Sequence, residues 1–290
     1  MTTRTIRNPV EWTGDQVLHA AHGVAATGRA LHHAVETLNS PAPAVRRITA
    51  ADLRDALVRG FSDEGAYRTD VFFLVLVYPI LCLGAAYVAF GMNMIPLLFP
   101  LASGLAIVGP AAAVGLHEMS RRREMGLEVS WRNAFDVVHR PAIGGILILG
   151  MLLTALFLSW LAAAWLIYAH TMGPALPESA GQFLRDVLYT DQGHLMMAEG
   201  IGTGFLFAVV AMAISVVSFP LMVDRDIGLD SAVRTSLRAV MANPVTMAGW
   251  GLIVASVLLV ASIPLFVGLI VALPVLGHAT WHLYRKVVER

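Results

Sequence analysis

His117, Glu118, His278 and His282 are the residues of this 290-residue chain whose types and spacing could do chemistry. Imidazoles at i and i+4, as in His278 and His282, present nitrogens on one helix face, half of a ligand set for a divalent ion. Glu118 beside His117 could add a carboxylate and a third imidazole from another helix. Both pairs stand where an apolar run meets charge, in "VGLHEMSRRRE" and "LPVLGHATWHLYRK". The competing reading is anchoring, because Trp281 and Tyr284 beside Arg285 and Lys286 match the aromatic and snorkelling belt of a helix leaving a bilayer. The two readings separate on whether the helix ends meet. His19, His22, His32 and His33 read as solvated helix residues.

Other chemistry finds little to stand on. There is no Gly-x-Ser-x-Gly elbow, P-loop, His-Glu-x-x-His or dinucleotide glycine pattern, so no catalytic residue is assigned and the reading leans away from an enzyme. Cys82 is the only cysteine, which excludes an intrachain disulfide and a cysteine metal cluster. No cofactor is predicted.

The elements that must position the candidates come from composition. Apolar residues make up 57% of the chain and charged residues 14%, with a mean hydropathy of +0.69. That is more apolar surface than one soluble core of this size hides. The fold class is therefore all-α and integral to a membrane. Formal net charge is zero, so no basic field points to nucleic acid. No apolar segment near Met1 resembles a secretory signal, which leaves the first span as the insertion signal.

Spans are predicted at about 71–90, 95–117, 143–168, 198–223, 245–263 and 264–283, the last two as a hairpin broken near Ser262 and Pro264. One tilted helix with a re-entrant piece is the alternative for that block. Nineteen of the twenty Lys and Arg fall in segments of one sidedness, and only Arg185 falls in the other. Both termini are thus expected in the cytoplasm. Near-exclusive use of arginine, with Lys286 the one lysine, favours a bacterial inner membrane. The middles of the six spans hold no Asp, Glu, Lys, Arg or His, which counts against proton-coupled transport and against a membrane haem.

Each cytoplasmic stretch ahead of a span pair carries an amphipathic helix: Leu53, Leu57 and Phe61 in the first, Trp131, Phe135 and Val138 in the second, Val233, Leu237 and Val240 in the third. "GLEVSWRNAFDVVHRP" and "GLDSAVRTSLRAVMANP" share an order of Gly, Leu, acid, helix and Pro, and Pro141 and Pro244 suit the start of the next span. Three units of interfacial helix plus transmembrane hairpin account for this. "GIGTG" at 200–204 reads as a close helix contact rather than a substrate site. Residues 1–45 form an N-terminal cytoplasmic helical segment, with a weak heptad seam from Val17 to Leu38, and the linker "NSPAPAV"; residues 46–290 form the membrane domain.

The stretches "RRITAADLRDALVRGFSD", "FPLASGLAIVGPAAAVGLHEMSRRREMGLEVSW", "AISVVSFPLMVDRDIGL" and "LPVLGHATWHLYRK" resemble a bacterial integral membrane protein family catalogued as domain of unknown function 2189, over about residues 46–288. The resemblance implies a multi-pass membrane protein and brings no catalytic residues. Some members carry a cytochrome oxidase label, which the spans' lack of mid-bilayer histidine does not support. The function expected is a non-catalytic scaffold, assembly or accessory factor, with the bilayer and other membrane proteins as partners. A channel or permease for a small or lipophilic solute, and a metal- or haem-associated respiratory accessory protein, are the alternatives.

Overall fold

The computed structural model describes residues 40–66, 94–264 and 267–289, together with Thr37 and Tyr87. Apart from Thr37 and Tyr87, the N-terminal heptad segment and the 71–90 span, Cys82 included, lie outside the described residues. Ten α-helices are described: α1 (Ala50–Ala66), α2 (Leu98–Ala112), α3 (Val114–Glu124), α4 (Ile143–Thr171), α5 (Ala180–Tyr189), α6 (Asp191–Ser215), α7 (Ser218–Asp224), α8 (Leu229–Ala242), α9 (Pro244–Ser262) and α10 (Leu269–Val287). Short 3-10 helices cover Ile95–Leu97 and Trp131–His139.

Four helical stretches among the described residues are long and apolar enough to cross a membrane: Ile95–Ala112, Ile143–Thr171, Asp191–Asp224 and Pro244–Ser262. The expected span 198–223 begins seven residues earlier and is broken. Pro220 has no N–H for the Val216 carbonyl four residues back, and the helix breaks at Val216 and Val217. The Val217 N–H donates instead to Ser236 Oγ of α8, 3.3 Å away. Pro244 is the first residue of α9, as expected, and Pro141 stands just ahead of α4.

The three rim helices dock in the same unexpected way. On α1 the buried residues are Leu53, Ala56, Gly60 and Asp63, while Val58 and Phe61 are exposed. In the 3-10 helix, Ala134 and Val137 turn inward and Phe135 and Val138 outward. On α8, Ser231, Ala232, Thr235, Ser236 and Ala239 are buried, and Leu237 and Met241 are exposed. Small side chains share the protein contact with Leu53, Leu57, Val137, Val233 and Val240, while Phe61, Phe135, Val138 and Leu237 of the apolar stripes face away from it. A Cβ on Gly60 would stand 2.6 Å from the Ala279 nitrogen of α10, so only glycine permits this approach.

"GIGTG" differs from expectation. Gly200 and Gly202 meet nothing within 4 Å among the described residues, and only Gly204 packs, against the Trp160 ring of α4. Trp160 is buried and donates its indole N–H to the Pro100 carbonyl at 3.0 Å, tying α4 to α2.

The expected linker is also more ordered than its composition suggests. Val45 forms an antiparallel bridge with Val288, the Arg46 N–H donates to the Val287 carbonyl at 2.7 Å, and the Glu289 N–H donates to the Ala44 carbonyl at 3.1 Å. Asn243, buried at the start of α9, accepts from the Ile48 N–H at 2.8 Å and donates to the Arg46 and Ala239 carbonyls at 3.0 Å. One amide thus holds two backbone groups of the 46–48 stretch and one carbonyl in the last turn of α8.

Candidate functional site at the polar rim

The last turns of α10 gather most of the rim chemistry. His278, Trp281, His282, Tyr284, Arg285 and Lys286 follow one another along "GHATWHLYRK" and reach α1, α3 and α7. His278, Trp281 and Tyr284 are at most 1% exposed. They are therefore interior residues, and the head-group belt expected from their types is not what they form.

Asp63 of α1 is the centre. It is 4% exposed and accepts from Ser120 Oγ at 2.6 Å and His282 Nε2 at 2.9 Å, with Arg123 on its other oxygen. Burial pushes its carboxyl up, but the bonds from His282 and Ser120 and the charges nearby outweigh this and hold it below the ordinary 3.8. Ser120 Oγ also lies 2.8 Å from His278 Nδ1. Its single proton goes to the carboxylate, so Nδ1–H is the donor in that second bond.

That order argues against a nucleophilic serine. A serine nucleophile gives its proton to a base, which a third group orients. Here the imidazole donates to the hydroxyl, and the carboxylate holds both the hydroxyl and His282. The arrangement is a structural relay joining α1, α3 and α10.

Glu118, 1% exposed, does not join it. It accepts from Arg121 Nε at 2.8 Å and Nη2 at 2.9 Å, and from Arg140 Nη2 at 2.8 and 2.9 Å. This fastens α3 to the end of the Trp131–His139 helix. His117 is buried near His278, and neither ring nitrogen has a hydrogen-bond partner among the described residues. The helix ends therefore do meet, but the four candidate ligands divide: Glu118 on two arginines, His282 on Asp63, His278 on Ser120. No three His, Cys, Asp or Glu side chains among the described residues gather in a way that could hold a metal ion.

A further clamp links α10 to α3 and α7. Arg285 bonds Glu124 at 2.8 Å and Asp224 at 3.0 Å, Tyr284 donates to Asp224 at 2.6 Å, and the Trp281 indole donates to Glu124 at 3.2 Å. Lys286 pairs with Asp55 of α1 at 2.9 Å. Between these clamps lies an open cleft of about 490 Å³, walled by Arg59, Asp63, Arg123, Glu124, His282 and Lys286 among others. Asp63, Ser120 and Glu124 were missed in the sequence because their partners lie 57 to 219 residues away. Only the clustering of charge near span ends hinted at them.

Residues 98–224 match the family model described as "Predicted integral membrane protein (DUF2189)". The resemblance read from the sequence holds over that stretch. No curated protein and no solved structure matches the chain. Four apolar helices of spanning length agree with that description: this is an integral membrane protein, similar over residues 98–224 to the predicted integral membrane proteins of that family.

Proposed function

We propose that the protein is a non-catalytic scaffold, assembly or accessory factor of a bacterial inner membrane, with six spans in three units, each an interfacial helix followed by a transmembrane hairpin. The rim around α10 and both termini face the cytoplasm, the side on which nineteen of the twenty Lys and Arg fall. Outward Phe61, Phe135 and Met241 suit rim helices that set these apolar side chains in the bilayer interface while their other faces dock on the bundle.

The observation that carries the reading is how the rim uses its polar groups. Asp63, Glu118 and Asp224 are spent on holding helices together, which makes a rigid platform with a charged, open cleft rather than an apolar substrate cavity. Such a cleft fits a polar, charged segment of another protein.

The test is affinity purification from native membranes in parallel with solute uptake by reconstituted vesicles. Co-purification of a defined partner, lost in the double variant Arg59→Glu with Lys286→Glu while the protein stays folded, is expected. Specific uptake or efflux abolished by substitutions in spans two or four would sink the reading in favour of a permease. A reporter fused after Arg290 that works only outside the membrane would overturn the orientation.

A further inference from the structure

The segment between α4 and α6 holds the short helix α5. In α5 no residue is buried, and Leu184, Leu188 and Tyr189 are 57%, 44% and 80% exposed. Leu184 and Leu188 share one side of the helix at i, i+4, and Arg185 and Tyr189 share the adjoining side. Arg185 is exposed and makes no ion pair among the described residues. It is also the one basic residue outside the cytoplasmic count.

This face is exposed but its helix is firmly held. Ser179 accepts from the Gln182 N–H at 3.2 Å at one end. At the other, Thr190 Oγ1 accepts from the Gly193 N–H at 3.0 Å and donates to the Asp186 carbonyl at 2.6 Å. A Cβ on Gly193 would stand 2.2 Å from that same carbonyl oxygen, so α5 lies directly against the first turn of α6. Phe183 meets the Tyr168 ring of α4 edge-on, centroids 6.1 Å apart. A rigid helix loses little entropy on entering an interface.

Its neighbours say what covers it. α5 follows the end of α4 and precedes the start of α6, two helices of spanning length, and Leu166 near the end of the one and Leu195 near the start of the other are exposed apolar residues. α5 packs on both of these helix ends, through Phe183 on Tyr168 and through Asp186 and Val187 against Gly193, and leaves Leu184 and Leu188 exposed beside them. We propose that α5 is a lipid anchor on the rim opposite the cytoplasm, with Leu184 and Leu188 at the acyl boundary and Arg185 and Tyr189 among phosphate head groups. The proposal rests on the membrane-spanning reading of α4 and α6.

Spin labels test it in a Cys82→Ser background, in vesicles of phosphatidylethanolamine and phosphatidylglycerol. Labels go at Leu184→Cys, Leu188→Cys, the exposed loop position Glu178→Cys and the outward-facing α4 position Leu158→Cys. Molecular oxygen concentrates in the bilayer and a nickel chelate stays in water. The oxygen-to-nickel collision ratio is expected to be several-fold higher at 184 and 188 than at 178, and higher still at 158. Nickel contact at 184 and 188 equal to that at 178, with 158 still in lipid, would overturn the anchor alone. Exclusion of both reagents from 184 and 188 would also overturn it, because a protein surface would then cover the face. Nickel contact at 158 would overturn the span reading and the anchor with it.

Discussion

α9 and α10 are neighbours of equal length, 19 residues each, and they solve opposite problems. α9 buries only Met247, Trp250 and Ala261 and leaves Leu252, Leu259 and Val260 outward. α10 buries eleven residues, among them His278, Trp281 and Tyr284. In lipid, an apolar side chain gains nothing by turning inward, so the helix that packs is the one with small, polar and aromatic groups to pair. Hydropathy therefore marks α9 as a helix of spanning character, while α10, the less apolar of the two, packs its apolar residues together with His278, Trp281 and Tyr284.

The sharpest break in that comparison comes at the rim clamp. Glu118→Ala leaves Arg121 and Arg140 facing a hole where a carboxylate stood. Removing one partner of a buried pair costs about 3–5 kcal/mol, and here the lower figure applies because both guanidiniums reach water. A large drop in Tm of the detergent-purified protein is expected. An unchanged Tm would mean that the rim clamp is dispensable.

Asn243→Ala comes next. It strips the amide from the Ile48 N–H and two carbonyls and is expected to cost about 1–3 kcal/mol. Hydrogen exchange at the Ile48 amide should accelerate, with cleavage by added protease rising in residues 40–48. Exchange at that amide as slow as in the parent would break the assignment.

The acid limb gives a smaller, graded effect. Asp63 is held below 3.8 in the folded protein, so the unfolded chain takes up that proton first. The stability it contributes is complete above 3.8 and is lost as pH falls through the lower folded value. Tm against pH should therefore fall less steeply on the acid side in Asp63→Asn than in the parent, and parallel curves would refute the role given to Asp63.

Leu259→Ala on the outer face of α9 is the control. It is expected to change stability by no more than about 0.5 kcal/mol. A larger loss would mean that this face touches protein, and the contrast between α9 and α10 would need redrawing.

How much was legible in the sequence follows the same division. Long apolar runs gave away α4, α6 and α9, and Pro244 marked a helix start, because these depend on local composition. The amphipathic stripes in 50–66, 131–139 and 229–242 were also visible. That Phe61, Phe135 and Leu237 would turn outward was not, since Ala56, Gly60 and Ala239 carry little hydrophobic signal yet allow close backbone approach. Trp281 and Tyr284 looked like an interfacial belt because the same residue types serve both settings. Their burial depends on Glu124 and Asp224, far away in the chain. α5 was hidden by its brevity, and the Asp63 relay by its reach from α1 to α10.

The bridge between Val45 and Val288 has a consequence for biosynthesis. Residues 44–48 emerge from the ribosome early, yet the partners of Ala44 and Arg46 are Glu289 and Val287. Until residues 287–289 are made, this stretch must wait with those backbone groups unpaired, while the spans between insert. The latch closes only after α10 is made, and any truncation short of residue 287 leaves an open strand at the rim for proteases to find.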